Sequence, residues 1–475
     1  MEATSSYFEK YRYEIDNTDP IKYVGVVSKV SDLIIESVGP LAMIGELCQV
    51  VISESQSILA EVVALDGKYV KLMCFQQTAG LHVGAKVIAS GEVLSVPVSD
   101  ALLGRIVDCL GHAADGKPEV YSSIKLPVLR NPIDPMERPP INHRIVTGIR
   151  AIDGLLTVGR GQRLGIFSGS GVGKSTVLGM IARNTDADIN VIAFIGERGR
   201  ELMDFIKHDL GPEGLKKTVI VHSTSDTTPL ARLRGAYTAT TIAEYFRERG
   251  KHVMLLFDSV TRFAKAQREI GLSAGEAPAK NGYPPSVFDK LPKLLERPGT
   301  SASGGSITAF YTVLVDGDDL DEPISDTVRG ILDGHIVLSR SLAESGHYPA
   351  IDVLKSISRL ARKVNGEKTN EAMLKIRQQY ATYKASEDLI LVGAYQRGQS
   401  ERLDEAMEFF PQIEQFLLQD VSEAAPIVDT LKRMSEIADI QIPESEYGGD
   451  GVGSRKKFAS TGGEDTSDID FDTPL

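Results

Sequence analysis

The chain has 475 residues, of which 42% are hydrophobic and 25% charged, so it is long enough for two to four globular domains. Its net charge of −13 argues against a nonspecific nucleic-acid binder, which needs a strongly basic surface. No apolar run is long enough to cross a membrane, and the first residues do not resemble a signal peptide, so we expect a cytoplasmic protein.

The first 21 residues form a predicted N-terminal segment with an amphipathic pattern. Tyr7, Phe8, Tyr11 and Ile15 fall on one face of a helix, and such a face packs against a partner. Because few basic residues lie nearby, a protein surface is favoured over lipid.

Residues 22–100 are predicted to form a small β-barrel. Short segments rich in Val and Ile, such as 24–28, 33–37 and 60–64, are separated by glycine and polar turns. Two of the three cysteines, Cys48 and Cys74, lie here and the third is Cys109; their spacing fits neither a disulfide nor a zinc site, so we expect buried thiols. Several prolines between residues 105 and 145 exclude long regular structure there.

Residues 101–362 are predicted to form an α/β domain. Buried apolar runs alternate with helical patterns, which predicts a mostly parallel sheet covered by helices on both faces. The predicted strands are 163–167, 191–195, 218–222, 253–257, 307–311 and 335–339.

The C-terminal part changes character. Residues 363–442 combine charged and apolar residues at helical spacing, interrupted only at Pro411 and Pro426, which predicts a helical domain. Residues 443–475 are rich in Gly, Ser and Asp, and we expect a disordered acidic tail.

A phosphate-binding loop is the most informative motif. Residues 161–176 read as a buried strand, a glycine-rich turn and the start of a helix, a combination that gathers backbone N–H groups around phosphate oxygens. Lys174 is predicted to reach the β and γ phosphates, and Ser175 to hold a magnesium ion. Ser168 stands where glycine or alanine is usual, and we expect a modest effect, its hydroxyl being able to add a hydrogen bond. The predicted nucleotide-binding residues are Gly169, Ser170, Gly171, Val172, Gly173, Lys174, Ser175 and Thr176.

Two carboxylates near this loop indicate that the bound nucleotide is hydrolysed. Asp258 and Glu197 each follow a predicted buried strand, and the carboxyl ends of such strands meet at the ligand-binding edge of the sheet. Asp258 is predicted to contact magnesium, directly or through water, and Glu197 to polarise the attacking water. The alternative for each is a carboxylate that caps a neighbouring helix.

Three longer motifs carry a family resemblance. Residues 196–201, 258–270 and 282–288 resemble the flagellar and type III secretion ATPases, relatives of the catalytic subunit of rotary ATP synthases. The likeness extends from about Gly25 to Phe416 through residues 147–155 and 331–340. It implies a RecA-like P-loop nucleotide domain with an N-terminal β-barrel and a C-terminal helical domain, assembled as a homohexamer.

The resemblance also assigns further site residues. Tyr348 resembles the aromatic residue on which adenine stacks, with a core tyrosine as the alternative. Arg359 resembles the arginine finger that enters the neighbouring subunit's site. Arg198 and Arg262 match positions near the γ phosphate, and a surface or interdomain ion pair is the alternative for each.

The implied function is an ATPase that uses ATP and Mg²⁺ to energise type III protein export. The resemblance implies a regulatory protein at the N-terminus, export-gate proteins at the inner face of the cytoplasmic membrane, chaperones with their cargo, and a stalk-like protein. The acidic segment 316–323 resembles a loop facing the central channel, although a solvated turn is the alternative.

Several functions remain open at this stage. Residues 392–395 (Val-Gly-Ala-Tyr) favour a flagellar system over a virulence-type injectisome. A noncatalytic nucleotide-binding ring subunit is a further alternative, against which Glu197 argues. An RNA translocase with a similar core is also possible, but its barrel would carry basic and aromatic residues that residues 22–100 largely lack, so we expect no nucleic-acid partner.

Overall fold

A computed structural model describes residues 22–31, 33–315 and 319–448. The predictions for the N-terminal segment, for residues 316–318 of the acidic segment and for the tail from residue 449 lie outside the described residues. The predicted fold class is confirmed: a β-barrel, an α/β nucleotide domain and a C-terminal helical region follow one another along the chain.

The barrel closes in the strand order β1-β2-β5-β4-β3-β6, with antiparallel neighbours. Alternate residues point into its apolar interior, as the period of two requires. Cys48 and Cys74 are part of that interior, and burial raises the pKa of each thiol to about 12. All three cysteines are buried free thiols, as predicted. The strands are β1 (Val24–Val30), β2 (Ile35–Val38), β3 (Glu46–Ser53), β4 (Gln56–Asp66), β5 (Tyr69–Cys74) and β6 (Lys86–Val93).

The proline-rich stretch contains only short elements, as expected. β7 pairs with β9 in a separate two-stranded sheet, and β8 joins the edge of the main sheet. A further short pair, β10 and β11, leads into the nucleotide domain. These strands are β7 (Ser95–Pro97), β8 (Ile106–Val107), β9 (Lys125–Pro127), β10 (Arg144–Ile145) and β11 (Val158–Gly159).

The main sheet has the strand order β19-β18-β12-β17-β15-β13-β14-β8, with β16 paired to β17. All six predicted strands are present and run parallel to their neighbours, while β19 and β16 pair in the antiparallel sense. The strands are β12 (Arg163–Ser168), β13 (Ile189–Ile195), β14 (Thr218–Ser223), β15 (His252–Asp258), β16 (Gly299–Thr300), β17 (Ser306–Leu314), β18 (Gly334–Leu338) and β19 (Ile351–Ser358).

Helices cover both faces of this sheet. Successive residues of a buried strand point to opposite faces, so Val253, Leu255 and Phe257 pack into one core and Met254 and Leu256 into the other. The α-helices up to the end of this domain are α1 (Arg150–Leu155), α2 (Lys174–Asn184), α3 (Gly199–Asp204), α4 (Gly211–Lys216), α5 (Pro229–Glu248), α6 (Val260–Ala274), α7 (Pro285–Leu295), α8 (Pro323–Ile331), α9 (Arg340–Glu344) and α10 (Ala361–Val364), and a π-helix, Phe205–Leu210, joins α3 to α4.

The C-terminal region consists of α11 (Glu367–Leu391), α12 (Glu401–Leu417) and α13 (Ile427–Ala438). The predicted interruption at Pro411 is wrong, because α12 continues through this residue. A proline inside a helix removes one backbone hydrogen bond, but α12 buries Ala406, Ile413 and Phe416 on both sides of it. Pro426 does precede a helix, as the cap of α13.

The predicted disorder from residue 443 is also wrong for its first residues. Glu444–Glu446 form a short 3₁₀ turn, and the Glu446 carboxylate accepts hydrogen bonds from the backbone N–H groups of Lys368 (3.2 Å) and Thr369 (2.8 Å). These are unpaired donors at the start of α11, so Glu446 acts as a distant cap for that helix.

A buried ion pair joins the barrel to the nucleotide domain. Glu61 of β4 is 2% exposed, and both of its oxygens accept hydrogen bonds from the guanidinium of Arg234 on α5, one at 2.7 Å from Nε. The two hydrogen bonds of this bidentate geometry offset the cost of removing both charges from water.

We expect the Glu61→Gln variant to be destabilised by about 3–5 kcal/mol, because it leaves the buried Arg234 charge without a counter-ion. The measurement is the first transition of urea unfolding followed by circular dichroism. The matched control is Lys216→Gln, which removes a cation from an exposed pair with Glu213 and should change stability by less than about 0.5 kcal/mol. Equal midpoints for the two variants would contradict this account.

Candidate functional site

The phosphate-binding loop connects the end of β12 at Ser168 to the start of α2 at Lys174. Gly171 and Gly173 have φ angles of 80° and 97°, a left-handed conformation that favours glycine. The loop borders a cavity of about 500 Å³ at the carboxyl edge of the sheet. Of the predicted residues, Gly169, Ser170, Gly171, Gly173, Lys174, Ser175, Thr176, Glu197, Arg198 and Arg262 line this cavity. Val172 points into the core instead.

Lys174 lies between two carboxylates, of which Glu197 also lines the cavity and Asp258 is buried and does not line it. Its Nζ is 2.5 Å from Oδ1 of Asp258 and 3.6 Å from Oε1 of Glu197. Burial acts to lower the pKa of the ammonium, but the two carboxylates outweigh burial, so the pKa stays above its ordinary value. The lysine is therefore held as a cation where phosphate charge would arrive.

Asp258 is the last residue of β15 and is almost fully buried. The hydroxyl of Thr312, on the neighbouring strand β17, lies 2.7 Å from Oδ1 and donates to it. Lys174 contacts the same oxygen. Asp258 is thus held by hydrogen bonding and charge rather than by capping a helix.

Glu197 follows β13 by two residues and is 7% exposed. In the sheet, Phe194 pairs with Asp258, so the two carboxylates leave adjacent strands at the same edge, as predicted. Oε1 of Glu197 accepts a hydrogen bond from the Ser259 hydroxyl (3.4 Å) and lies 3.7 Å from Nε of Arg262. Burial first, and then the charge of Asp258, raise the pKa of Glu197.

The two arginines differ in their surroundings. Arg262 is in the first turn of α6 and its side chain is half-buried beside Glu197. Arg198 is 81% exposed and forms a loose pair with Glu201 at 3.8 Å, which is the surface ion pair considered as an alternative. Both nevertheless border the cavity.

Tyr348 and Arg359 lie outside this cavity. Tyr348 is 47% exposed, between α9 and β19, so it is not a core tyrosine. Arg359 directly follows β19 and is exposed, with its guanidinium 3.5 Å from the carbonyl oxygen of Arg329. β18 separates β19 from β12, so Arg359 is at the far edge of the sheet from the carboxylates. That position suits a residue that acts on a neighbouring copy.

Sequence reasoning missed several residues of the site. Thr312 and Ser259 orient the two carboxylates, and Glu201, Lys265, Leu314 and Val315 complete the cavity wall. Thr312 is a polar residue near the end of a buried strand, but Ser306 and Thr308 of the same strand are polar too, so the sequence alone does not single it out. What it contacts depends on the pairing of β17 with β15.

The hydroxyl of Ser168 lies in a buried position at the start of the loop. Ser168 is 2% exposed, and its hydroxyl has no hydrogen-bond partner among the residues that the structure describes. The expectation that this hydroxyl adds a hydrogen bond is therefore not met.

Two features are absent from the residues that the structure describes. They contain no group of three or more His, Cys, Asp or Glu side chains placed to hold a metal. None of the helices within residues 22–31, 33–315 and 319–448 is long and apolar enough to cross a membrane.

Comparison with known protein families gives three matches. Residues 148–358 match the nucleotide-binding domain of the ATP synthase alpha/beta family, and residues 27–91 match the β-barrel domain of that family. Residues 366–436 match the C-terminal domain of the type III secretion ATPase EscN. Each range falls inside one predicted domain, while the boundaries between domains stay predictions.

Individual proteins are similar over most of the chain. The flagellum-specific ATP synthase of Treponema pallidum is 59% identical over 92% of this chain and 98% of its own, and that of Bacillus subtilis is 52% identical over 89% and 97%. The type 3 secretion system ATPase of Xanthomonas euvesicatoria is 45% identical over 87% and 94%.

A solved structure is also similar. The assembled ATPase EscN of the enteropathogenic E. coli type III secretion system has a TM-score of 0.83 and 44% identity, covering 87% of this chain and all of that one. EscN in complex with its central stalk EscO has a TM-score of 0.81.

We expect the Ser168→Ala variant to be at least as stable as the wild type and to keep its turnover within about twofold. Removing a buried hydroxyl that lacks a partner removes a desolvation cost of about 1–3 kcal/mol. Thermal unfolding and the steady-state rate with ATP measure the two effects. A large loss of stability or turnover would mean that the hydroxyl has a partner in the working enzyme.

Proposed function

Because the chain belongs to the family of flagellum-specific ATP synthases and type 3 secretion system ATPases, we propose that it hydrolyses ATP to ADP and phosphate to energise type III protein export, acting as a homohexameric ring. We favour flagellar components as the cargo, since flagellar relatives reach 59% identity and an injectisome relative 45%. The sequence of residues 392–395 supports the same choice.

The observation that carries the enzymatic proposal is the contact of Lys174 with both Asp258 and Glu197 beside the phosphate-binding loop. A noncatalytic ring subunit, which binds nucleotide without hydrolysing it, needs the loop and the lysine. It does not need a buried glutamate beside them. Here Glu197 has a raised pKa and lies within reach of both Lys174 and Arg262. Such a perturbed carboxylate in a phosphate site suits the activation of water.

Each residue has a distinct part in the proposed hydrolysis. The loop N–H groups and Lys174 bind the β and γ phosphates, and Glu197 orients a water and accepts its proton as it attacks the γ phosphorus. Arg262 and Arg198 border the same cavity and offset the negative charge that develops there. Arg359 supplies the corresponding charge to the site of a neighbouring subunit.

The residues present also suit Mg²⁺, which prefers a few oxygen ligands together with phosphate oxygens. Ser175 and Asp258 would hold it with hard oxygen donors: the Ser175 residue lines the cavity, and the Asp258 carboxylate contacts Lys174 of the same cavity wall. When bound, the ion would supply positive charge that offsets the negative charge of the phosphates. A dedicated cage of protein carboxylates is not required.

The proposed partners follow from the relatives. EscN is known as an assembled ATPase and in complex with a central stalk, and we extend both properties to this chain. Export-gate membrane proteins, a regulatory protein at the N-terminus, and chaperones with cargo complete the proposal. They imply a cytoplasmic protein associated peripherally with the inner face of the membrane.

The first test is the ATPase rate per subunit measured against protein concentration. We expect the wild-type rate to rise steeply as the ring forms, because Arg359 acts in the neighbouring site. Arg359→Ala should be slower by roughly 10³-fold or more, as for other arginine fingers. Glu197→Gln should show almost no activity at any concentration.

Thr382→Ala is a suitable control, since its hydroxyl donates to the Gln378 carbonyl oxygen in an exposed part of α11. A concentration-independent wild-type rate would argue against a site shared between subunits. Substantial activity of Glu197→Gln would exclude the proposed role of that residue.

A second test uses pH. Glu197 must be ionised to accept a proton, and its pKa is raised, so kcat/KM should fall on acidification at a pH above glutamate's ordinary value of about 4.3. The residual rate of Glu197→Gln should lack this acidic limb. A limb at or below the ordinary glutamate pKa would contradict the assignment.

A further inference from the structure

The loop between α12 and α13, residues 418–425, holds the backbone of Tyr348. Gln419 of this loop is 5% exposed, and its backbone N–H donates to the Tyr348 carbonyl oxygen at 3.0 Å. The position of Tyr348 therefore depends on where Gln419 is fixed.

The side chain of Gln419 is fully engaged. Its Nε2 donates to the carbonyl oxygens of Gly148 (2.8 Å) and Glu423 (2.9 Å), and its Oε1 accepts from the backbone N–H of Arg150 (2.9 Å). Only an amide of this length supplies two donors and an acceptor in this arrangement: a glutamate lacks the donors, and an asparagine is shorter.

The segment that Gln419 contacts, residues 147–150, is itself held in place by hydrogen bonds. The buried carboxylate of Asp153 accepts hydrogen bonds from the N–H groups of Thr147 (2.9 Å) and Gly148 (2.8 Å). The guanidinium of Arg150 bonds to the carbonyl oxygen of Phe416 (3.0 Å) at the end of α12. Gln419 thus joins a fixed part of the nucleotide domain to Tyr348.

The same loop is attached to the phosphate-binding helix. Arg183 lies in the last turn of α2, and its Nη2 donates to the carbonyl oxygen of Val421 at 2.6 Å. α2 begins at Lys174, so one continuous set of contacts links the phosphate end of the site to Tyr348. Neither Gln419 nor Arg183 lines the phosphate cavity.

We propose that Gln419 is a positioning residue that fixes Tyr348 at a set distance from the phosphate-binding loop, and so gives the enzyme its preference for a nucleoside triphosphate over a polyphosphate without a base. This inference rests on the proposed contact between Tyr348 and adenine. Loss of Gln419 weakens binding of the base and leaves the phosphate contacts unchanged.

The experiment compares ATP with inorganic tripolyphosphate in the full-length ring. For the wild type and each variant, we would measure kcat and KM for ATP and the inhibition constant of tripolyphosphate. Gln419→Ala should raise KM roughly tenfold, within the range that loss of base stacking covers. Its kcat and its tripolyphosphate inhibition constant should stay within about twofold of wild type.

Three further variants complete the design. Gln419→Glu should raise the KM for ATP as much as Gln419→Ala does, because it places a carboxylate oxygen against the carbonyl oxygens of Gly148 and Glu423. Ser422→Ala is the control, since its hydroxyl donates to the Asp420 carboxylate in the same exposed loop. Arg183→Ala detaches the loop at Val421 and should also raise the KM for ATP selectively, which keeps the test usable if Gln419 variants do not fold.

The outcomes separate this inference from the proposed function. If Tyr348→Ala raises the KM for ATP but the Gln419 and Arg183 variants do not, the positioning role is overturned and the ATPase proposal stands. A parallel rise of KM and the tripolyphosphate constant in Gln419→Ala would indicate a general structural role and also overturn it. An unchanged KM in Tyr348→Ala would exclude the adenine contact, and this inference with it.

Discussion

The contact of Lys174 with Asp258 and Glu197 is the interaction on which the rest of the site depends. Sheet register places the two carboxylates at the ends of adjacent strands, where they would repel each other in a buried environment. The lysine charge between them compensates this repulsion. In the proposed mechanism, a triphosphate that attracts Lys174 also weakens its hold on Asp258 and Glu197. Phosphate binding would then also free Asp258 to hold Mg²⁺ and Glu197 to orient the attacking water.

This arrangement needs a sheet that does not change register. β12, β15 and β17 are parallel and buried on both faces by separate apolar cores, so a slip of one residue would exchange the residues of the two cores. The same register places Thr312 against Asp258. The barrel is joined to this unit through Arg234 and Glu61, neither of which is among the residues that line the phosphate cavity. The ion pair that attaches the barrel is thus separate from the residues proposed to act on the phosphates.

Residues close in sequence to a strand end or a loop were predictable, and residues that meet across the fold were not. The loop, Asp258 and Glu197 follow from local patterns because a parallel sheet collects its strand ends at one edge. Thr312, Gln419 and Glu446 act on partners distant in sequence, and nothing local marks them. Pro411 shows the opposite error: a correct local rule was outweighed by the apolar residues that α12 buries on both sides of it.

The position of Arg359 is set by the direction of β19 and by its place at the edge of the sheet. β19 pairs in the antiparallel sense at the edge of the sheet, so the residue after it is directed away from the cavity of its own chain. A cation there has no phosphate to act on unless another copy presents one. Tyr348 precedes the same strand and is held through Gln419 to the nucleotide domain. One edge strand therefore separates a residue proposed to serve its own site from a residue proposed to serve the next, which is the arrangement that a closed ring of identical subunits requires.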